Sequence, residues 1–214
     1  MKDLSDYRKS YEKKALLEND VPEDPMQLFK QWFHEVEDFG GLEEVNAMTL
    51  VTNGLDGFPK SRIVLLKQFT YEGFVFYTNY LSEKGKAIKA NPKVALSFFW
   101  PTLERQVIIK GMAEKIAPNL SDGYFESRPL GSQLGAIVSP QSQVIPNREY
   151  LENQLKELEA SAQSTTVQRP AHWGGYLVRP ISVEFWQGRP NRLHDRLLYS
   201  VQNDFSWKLE RLAP

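Results

Sequence analysis

The chain has no cysteine, so disulfides, thiolate nucleophiles and Cys-ligated metals are all excluded. Its three histidines, His34, His172 and His194, are scattered without the spacing of a ligand set, and no metal centre is expected. Neither charge sign dominates. Against 26 Lys and Arg stand 27 Asp and Glu, which leaves no bulk basic field to hold nucleic acid or an anionic membrane. Basic residues must therefore act locally. No apolar run approaches membrane-spanning length, and the first eight residues lack the apolar stretch of a signal peptide. These absences lead to the expectation of a soluble, cytoplasmic protein. No G-x-G-x-x-G follows a strand, and there is no P-loop and no G-x-S-x-G elbow, so the usual nucleotide and hydrolase signatures are missing.

What is present reads as an α+β chain of mostly antiparallel strands with a few helices. Residues 1–23 are polar and weakly periodic, and form an arm with one short helix. Residues 24–214 are expected to make a single domain, since 214 residues can bury one substantial core. Asp24-Pro25 supplies a cap and a first-turn proline, and Leu28, Phe29, Trp32, Phe33 and Val36 follow at helical spacing up to Gly40-Gly41. From Ala47 the period changes to that of strands: Ala47–Thr52, Ser61–Phe69, Phe74–Thr78, Lys93–Trp100 and Arg105–Lys115. Ser82 caps a short helix to about Ala90. Further helices are expected at Ser121–Arg128, near Gln133–Val138, and at Asn147–Ala160, with a low-complexity linker at Ser161–Ala171. Trp173–Val178, Ser182–Gln187, Arg192–Val201 and Ser206–Arg211 complete the strands. Closure into a barrel would remove the sheet edges.

The segment Trp186-Gln-Gly-Arg-Pro-Asn-Arg-Leu-His-Asp-Arg196 holds a Trp, three Arg, a His and an Asp in one turn between two apolar runs. Guanidiniums beside a large aromatic suit a planar anion, because Arg pairs with phosphate through two bonds and stacks on rings. A solvated surface hairpin explains the segment equally well on its own. Other candidates carry the same ambiguity. Arg62 and Lys67 end the apolar run Ile63-Val64-Leu65-Leu66, and strand alternation puts them on opposite faces, serving two anionic groups unless a bulge re-aims one. Tyr77-Thr78 runs toward a helix start at Ser82-Glu83-Lys84, where free N–H groups favour an anion, although Glu83 already complements the helix dipole. Tyr124 and Arg128 share a helix face if that helix reaches Arg128, and Ser132 lies in the following Pro-Leu-Gly loop, where it can cap the next helix. Gln106, Gln141 and Ser142 offer neutral hydrogen-bonding groups.

Taken in order, Arg62-Ile-Val-Leu-Leu-Lys67, Val75-Phe-Tyr-Thr-Asn79, Leu103-Glu-Arg-Gln-Val107, Ser127-Arg-Pro129, Ser132-Gln-Leu-Gly-Ala136, Trp173-Gly-Gly175, Glu184-Phe-Trp-Gln-Gly188, Asn191-Arg-Leu-His-Asp-Arg196 and Glu210-Arg-Leu-Ala-Pro214 resemble the pyridoxamine 5′-phosphate oxidase family over nearly the whole chain. The resemblance implies an FMN-binding split β-barrel and a homodimer with its sites at the subunit interface, dimerising through about 173–214. It implies oxidation of pyridoxamine or pyridoxine 5′-phosphate to pyridoxal 5′-phosphate, with O₂ as acceptor and H₂O₂ as product. It also implies that Arg62, Lys84, Gln106, Gln141, Ser142, Trp186 and Arg196 hold FMN, lined by Ile63, Val64, Leu65, Leu66, Lys67, Tyr77 and Thr78. Lys67, Tyr124, Arg128 and Ser132 match a cradle for the substrate phosphate. Arg192 and His194 match catalytic residues over the substrate ring, and Arg8 and Tyr11 an arm that closes on it. Glu83 stands where many relatives carry Arg, so only Lys84 transfers as a phosphate contact. A split-barrel FMN reductase and a non-catalytic FMN or pyridoxal phosphate carrier are the competing readings.

Overall fold

The computed structural model describes residues 2–7, 9–162 and 167–214. Its strands are β1 (Ala47–Asn53), β2 (Pro59–Leu65), β3 (Gln68–Thr70), β4 (Gly73–Asn79), β5 (Lys93–Trp100), β6 (Arg105–Lys115), β7 (Trp173–Gln187), β8 (Asp195–Val201) and β9 (Trp207–Arg211). The helices are α1 (Pro25–Phe39), α2 (Glu83–Ala90), α3 (Pro118–Ser127), α4 (Leu130–Val138) and α5 (Arg148–Ala162). The sheet runs β2-β1-β5-β6-β7-β4-β3, with β8 paired to β7 and β9 to β8. The pairs β3–β4, β4–β7, β7–β8 and β8–β9 are antiparallel. This is the expected α+β class.

Several boundaries differ from the sequence expectation, each for a local reason. Ser61–Phe69 is not one strand. β2 stops at Leu65, Leu66 is buried, and the Lys67 N–H donates to the Val75 carbonyl at 2.9 Å to start the β3–β4 hairpin. In contrast, Trp173–Val178 and Ser182–Gln187 are one strand, β7. Its pairing with β4 ends at Val178 and its pairing with β8 begins at Ser182, so Pro180 falls in the gap between these two ladders. β8 starts at Asp195 rather than Arg192, because Asn191 (φ 56°) and Arg192 (φ 63°) are left-handed and break the extended backbone. The helix expected from Ser121 starts earlier, with Pro118 in its first turn. α5 continues to Ala162, and residues 163–166 of the expected linker lie outside the described residues.

The chain falls into two compact units. The first comprises residues 1–50, 95–111 and 180–214. Here α1 forms as its sequence dictates: the Asp24 carboxylate accepts the Met26 N–H at 2.8 Å, Pro25 opens the helix, and Gly40 (φ 74°) closes it. Its buried face carries Leu28, Phe29, Trp32, Phe33 and Val36. The Phe29 ring meets Phe98 at 5.1 Å and Trp32 meets Phe185 edge-on at 5.1 Å. Each such side chain contributes about 1.5–3 kcal/mol through lost contact with water. The polar N-terminal segment is fastened by hydrogen bonds. Arg211 grips both Glu18 carboxylate oxygens (2.6 and 2.8 Å) and the Leu16 carbonyl (2.8 Å), and Tyr199 donates to the Pro22 carbonyl at 2.7 Å. That guanidinium brings the Glu18 carboxyl down to about 2.

The second unit comprises residues 51–94 and 112–179. β4 pairs with the first half of β7 so that Tyr77 stands opposite Gly175. A Cβ at Gly175 would lie 2.9 Å from the Tyr77 ring and would overlap the end of the Ile116 side chain, so this glycine leaves the space those groups fill. α2 is capped by Ser82, whose hydroxyl accepts the Gly85 N–H at 3.2 Å and donates to the Asn79 carbonyl at 2.6 Å. Gly85 is pressed against the Tyr80 backbone, and a Cβ there would overlap the Tyr80 carbonyl. Backbone cannot swing aside as a side chain can. Gly85→Ala is therefore expected to destabilise the protein by about 1–3 kcal/mol, seen as a lower urea midpoint. An unchanged midpoint would show that α2 can slide without cost.

Candidate functional site

The second unit encloses a cavity of about 650 Å³, within the size range of small-molecule sites. It is lined by Arg62, Ile63, Val64, Leu65 and Lys67 from the β2 end, Tyr77, Thr78 and Asn79 from β4, Lys84 from α2, Tyr124 and Arg128 from the α3 end, Pro129 and Ser132, Gln141, and Trp173. Four cationic side chains thus border one space, and no carboxylate is among the lining residues. Arg62 donates to the Thr52 hydroxyl at 2.8 Å. Lys84 donates to the Gln141 carbonyl oxygen at 3.0 Å, and Thr78 donates to the same oxygen at 3.3 Å. These partners are neutral, so they orient the cations without cancelling their charge.

Three rings form one wall. Tyr77 and Tyr124 stack with centroids 3.9 Å apart, and Trp173 stacks on Tyr77 at 5.5 Å. The Arg128 guanidinium lies 4.6 Å over the Trp173 ring, and its buried Nη1 has no hydrogen-bond partner. A buried guanidinium N–H without a partner is uncommon and leaves Arg128 with donor capacity that the protein does not use. The electrostatics agree. Burial lowers the pKa of Lys84, and the charge of Arg62 lowers it further. Burial likewise lowers Arg62 and Arg128, and raises the Tyr77 phenol.

The fold corrects three details of the sequence reading. Alternation puts Arg62 and Lys67 on opposite faces, yet both line this cavity, because the strand breaks after Leu65. α3 ends at Ser127, so Arg128 is not on the helix face of Tyr124. Its backbone is extended (φ −76°, ψ 150°), as the following Pro129 requires, and this still brings both side chains to the cavity. Ser132 does not cap a helix from a loop; α4 begins at Leu130 and Ser132 lies in its first turn. Ser142 (φ 70°) lines a neighbouring cavity of about 260 Å³ together with Gln141, Lys60 and Glu83. There Glu83 pairs with Lys60, which also lies 3.3 Å from Asp56. Leu66 is buried and lines neither cavity. Asn79, Pro129 and Trp173 were not anticipated as lining residues. Only the β4–β7 register brings Trp173 beside Tyr77, and no local spacing reveals that.

The remaining candidates lie in the first unit, except Arg8, which falls outside the described residues. Tyr11, Trp186 and His194 form a cluster: Trp186–His194 centroids are 4.7 Å apart, and Tyr11 meets Trp186 at 5.7 Å and His194 at 5.9 Å. The Arg189 N–H donates to His194 Nδ1 at 3.1 Å, so the neutral ring carries its proton on Nε2. Arg192 is exposed on its left-handed turn. Arg196 donates to Glu184 at 2.8 Å, which raises its pKa, and to the Ala213 carbonyl at 2.9 Å. Gln106 is half-buried on β6.

A cationic cavity carries a cost when empty. The lowered pKa means that protonated Lys84 is less favourable in the folded than in the unfolded chain, fully so below the folded pKa. The cost is relieved as pH rises from that value toward the ordinary lysine range. Lys84→Met is therefore expected to raise the melting temperature of the ligand-free protein at pH 7 while weakening binding of inorganic phosphate. A lower melting temperature would show that the ammonium is stabilising where it sits.

Comparison with known proteins closes the identification. The family described as pyridoxamine 5′-phosphate oxidase matches residues 33–162, and the pyridoxine 5′-phosphate oxidase C-terminal dimerisation region matches residues 173–214. The pyridoxine/pyridoxamine 5′-phosphate oxidase of Flavobacterium psychrophilum is 70% identical over 214 residues, covering 100% of both chains. That of Cupriavidus pinatubonensis is 51% identical, also covering 100% of both. Among solved structures, PhzG from Burkholderia lata, in complex with tetrahydrophenazine-1-carboxylic acid, superposes with a TM-score of 0.86 at 28% identity, covering 94% of this chain and 98% of its own. A pyridoxamine 5′-phosphate oxidase-related, FMN-binding protein from Nostoc punctiforme shares the fold at a TM-score of 0.69 and 17% identity, covering 88% of this chain and 96% of its own. Arg62 and Lys84 with their neutral partners, beside the Tyr77 ring, fit a planar cofactor carrying a phosphate, and the chain belongs to the pyridoxamine 5′-phosphate oxidase family as an FMN-dependent oxidoreductase of the split-barrel fold.

Proposed function

We propose that this chain oxidises pyridoxine and pyridoxamine 5′-phosphate to pyridoxal 5′-phosphate as a homodimer with its sites at the subunit interface. The observation that carries the reading is the cavity lined by Arg62, Lys67, Lys84 and Arg128 without a carboxylate. Two phosphate-bearing molecules, cofactor and substrate, account for that much positive charge better than one.

In this assignment Arg62, Lys84, Thr78 and Gln141 hold the cofactor, with Ile63, Val64, Leu65 and Tyr77 lining it. Gln106, Ser142, Trp186 and Arg196 complete its surroundings in the dimer. When bound, FMN would supply the two-electron oxidant for substrate C4′, with O₂ as final acceptor giving H₂O₂ and water releasing the aldehyde and ammonia from the imine that the amine substrate gives. Lys67, Tyr124, Arg128 and Ser132 grip the substrate phosphate and so fix where C4′ lies. Tyr11 covers the substrate, and Arg192 orients its ring and offsets developing charge. His194, its ring oriented by the Arg189 N–H, orients the substrate or handles the proton it gives up. Placing two reactants in register is a sufficient source for much of a rate gain of this kind.

The deciding experiment is the anaerobic absorbance spectrum of FMN-loaded protein before and after pyridoxine 5′-phosphate. The flavin band is expected to bleach and to return with air, with aldehyde formed. A band that stays oxidised with both the alcohol and the amine rejects this substrate class, and bleaching by a nicotinamide donor alone favours a reductase. Arg192→Ala is expected to slow flavin reduction by roughly a hundredfold with FMN content near that of the unsubstituted protein. An unchanged rate removes Arg192 from the chemistry.

A further inference from the structure

Glu104 is a buried acid to which the reading above gives no role. Its side chain is 3% exposed. Its backbone is left-handed (φ 58°), a conformation that a residue with a side chain enters only at a cost, and one that clusters where geometry is functional. Both halves of the residue are in use. The carboxylate Oε2 accepts two consecutive backbone N–H groups of the N-terminal segment, Glu12 at 2.9 Å and Lys13 at 3.1 Å. Successive N–H groups curled round an anion make a nest, here built by the arm itself. Oε1 lies 3.4 Å from the exposed Lys9 ammonium.

The backbone carbonyl of Glu104 faces the other way. It accepts the Gly188 N–H at 2.8 Å and the Gln187 side-chain amide at 3.2 Å. Gln187 is wholly buried and also accepts from Arg105 at 3.0 Å, so the turn after β7 is fixed to this loop. Gly188 in turn lies directly under Tyr11, and a Cβ there would come within 2.7 Å of Tyr11 Cβ and Cγ. Tyr11 meets Trp186 and His194. One residue thus holds the segment that carries Tyr11 and the turn that leads to Arg192 and His194.

We propose that Glu104 is a positioning residue, a latch that seats Tyr11 against Trp186 and His194 by binding the amides of residues 12 and 13. It rests on the assignment of Tyr11, Arg192 and His194 to the substrate. The left-handed backbone is what lets a single residue send its carboxylate to the arm and its carbonyl to Gly188.

The test uses full-length, FMN-loaded Glu104→Ala and Glu104→Gln. Gln keeps an acceptor oxygen but loses the charge, and serves if the Ala variant does not fold. Amide hydrogen exchange at Glu12 and Lys13 is expected to accelerate at least tenfold in Glu104→Ala, with a smaller rise in Glu104→Gln. KM for pyridoxine 5′-phosphate is expected to rise at least tenfold, since both charge-assisted hydrogen bonds to the arm are lost, while kcat changes much less. A general loss of packing would instead speed exchange throughout the first unit and lower FMN content. Unchanged exchange at residues 12 and 13 in both variants overturns the latch. Faster exchange with an unchanged KM overturns the positioning role. If the unsubstituted protein does not oxidise the substrate, the functional assignment falls while the exchange measurement still decides the latch.

Discussion

Like charges gathered in one partly buried space repel, and the second unit of this protein must hold four of them around its cavity without a carboxylate among them. Much of the local architecture follows from that constraint. Salt bridges within the cavity would satisfy the cations and also close it to anionic ligands. The chain instead gives them neutral acceptors, Thr52 for Arg62 and Gln141 for Lys84, and an aromatic face for Arg128. Neutral acceptors orient a cation through one hydrogen bond while leaving its field intact, whereas a carboxylate partner would consume it. Burial depresses the pKa of Lys84, Arg62 and Arg128, and at Lys84 the charge of Arg62 adds to it.

Holding repelling groups at fixed positions requires a stiff frame, and the glycines and rings provide it. Gly85 lets α2 close on the Tyr80 backbone, which sets where Lys84 emerges. Gly175 leaves room for Tyr77, and the Tyr77–Tyr124–Trp173 stack ties β4, α3 and β7 together at the cavity wall. The first unit uses a different means. Among the described residues of its arm only Leu16 is buried, while Leu4, Tyr7 and Leu17 are exposed, so the arm is held by charged groups acting on backbone: Glu104 on the amides of 12 and 13, Asp195 on the Leu16 amide, Arg211 on the Leu16 carbonyl. Such bonds are directional, and they set the placement of Tyr11 more sharply than apolar packing would.

The sequence makes the periodic part of this legible. α1 with its Asp24 cap, α2 with its Ser82 cap, and β5 and β6 to the residue all follow from spacing and capping chemistry. What it hides is wherever backbone departs from the local period. The break after Leu65 turns Lys67 toward the cavity it shares with Arg62, and no residue in that apolar run announces it. The extended backbone at Arg128 could have been read from Pro129, which forbids the helix from continuing through it. Trp173 reaches the cavity through a strand pairing nearly a hundred residues long in sequence, which periodicity cannot see. Glu104 escapes for a related reason: its importance lies in a left-handed backbone and in contacts with residues 12, 13 and 188, none of them local.

Glu83 is the residue that most threatens the cationic site, since it stands beside Lys84 in the first turn of α2. A free carboxylate there would compete with a phosphate for Lys84 and Arg62, and its charge does raise the pKa of both. The fold answers with Lys60, which pairs with Glu83 and with Asp56 on the far side, in the neighbouring cavity. Glu83 lines that second cavity and not the cationic one. The carboxylate is thus drawn away by a cation from β2, two residues from Arg62 on the same strand. An ion pair this exposed adds little stability. Its consequence is electrostatic: it keeps the acid of α2 turned from the cationic cavity and toward the neighbouring one.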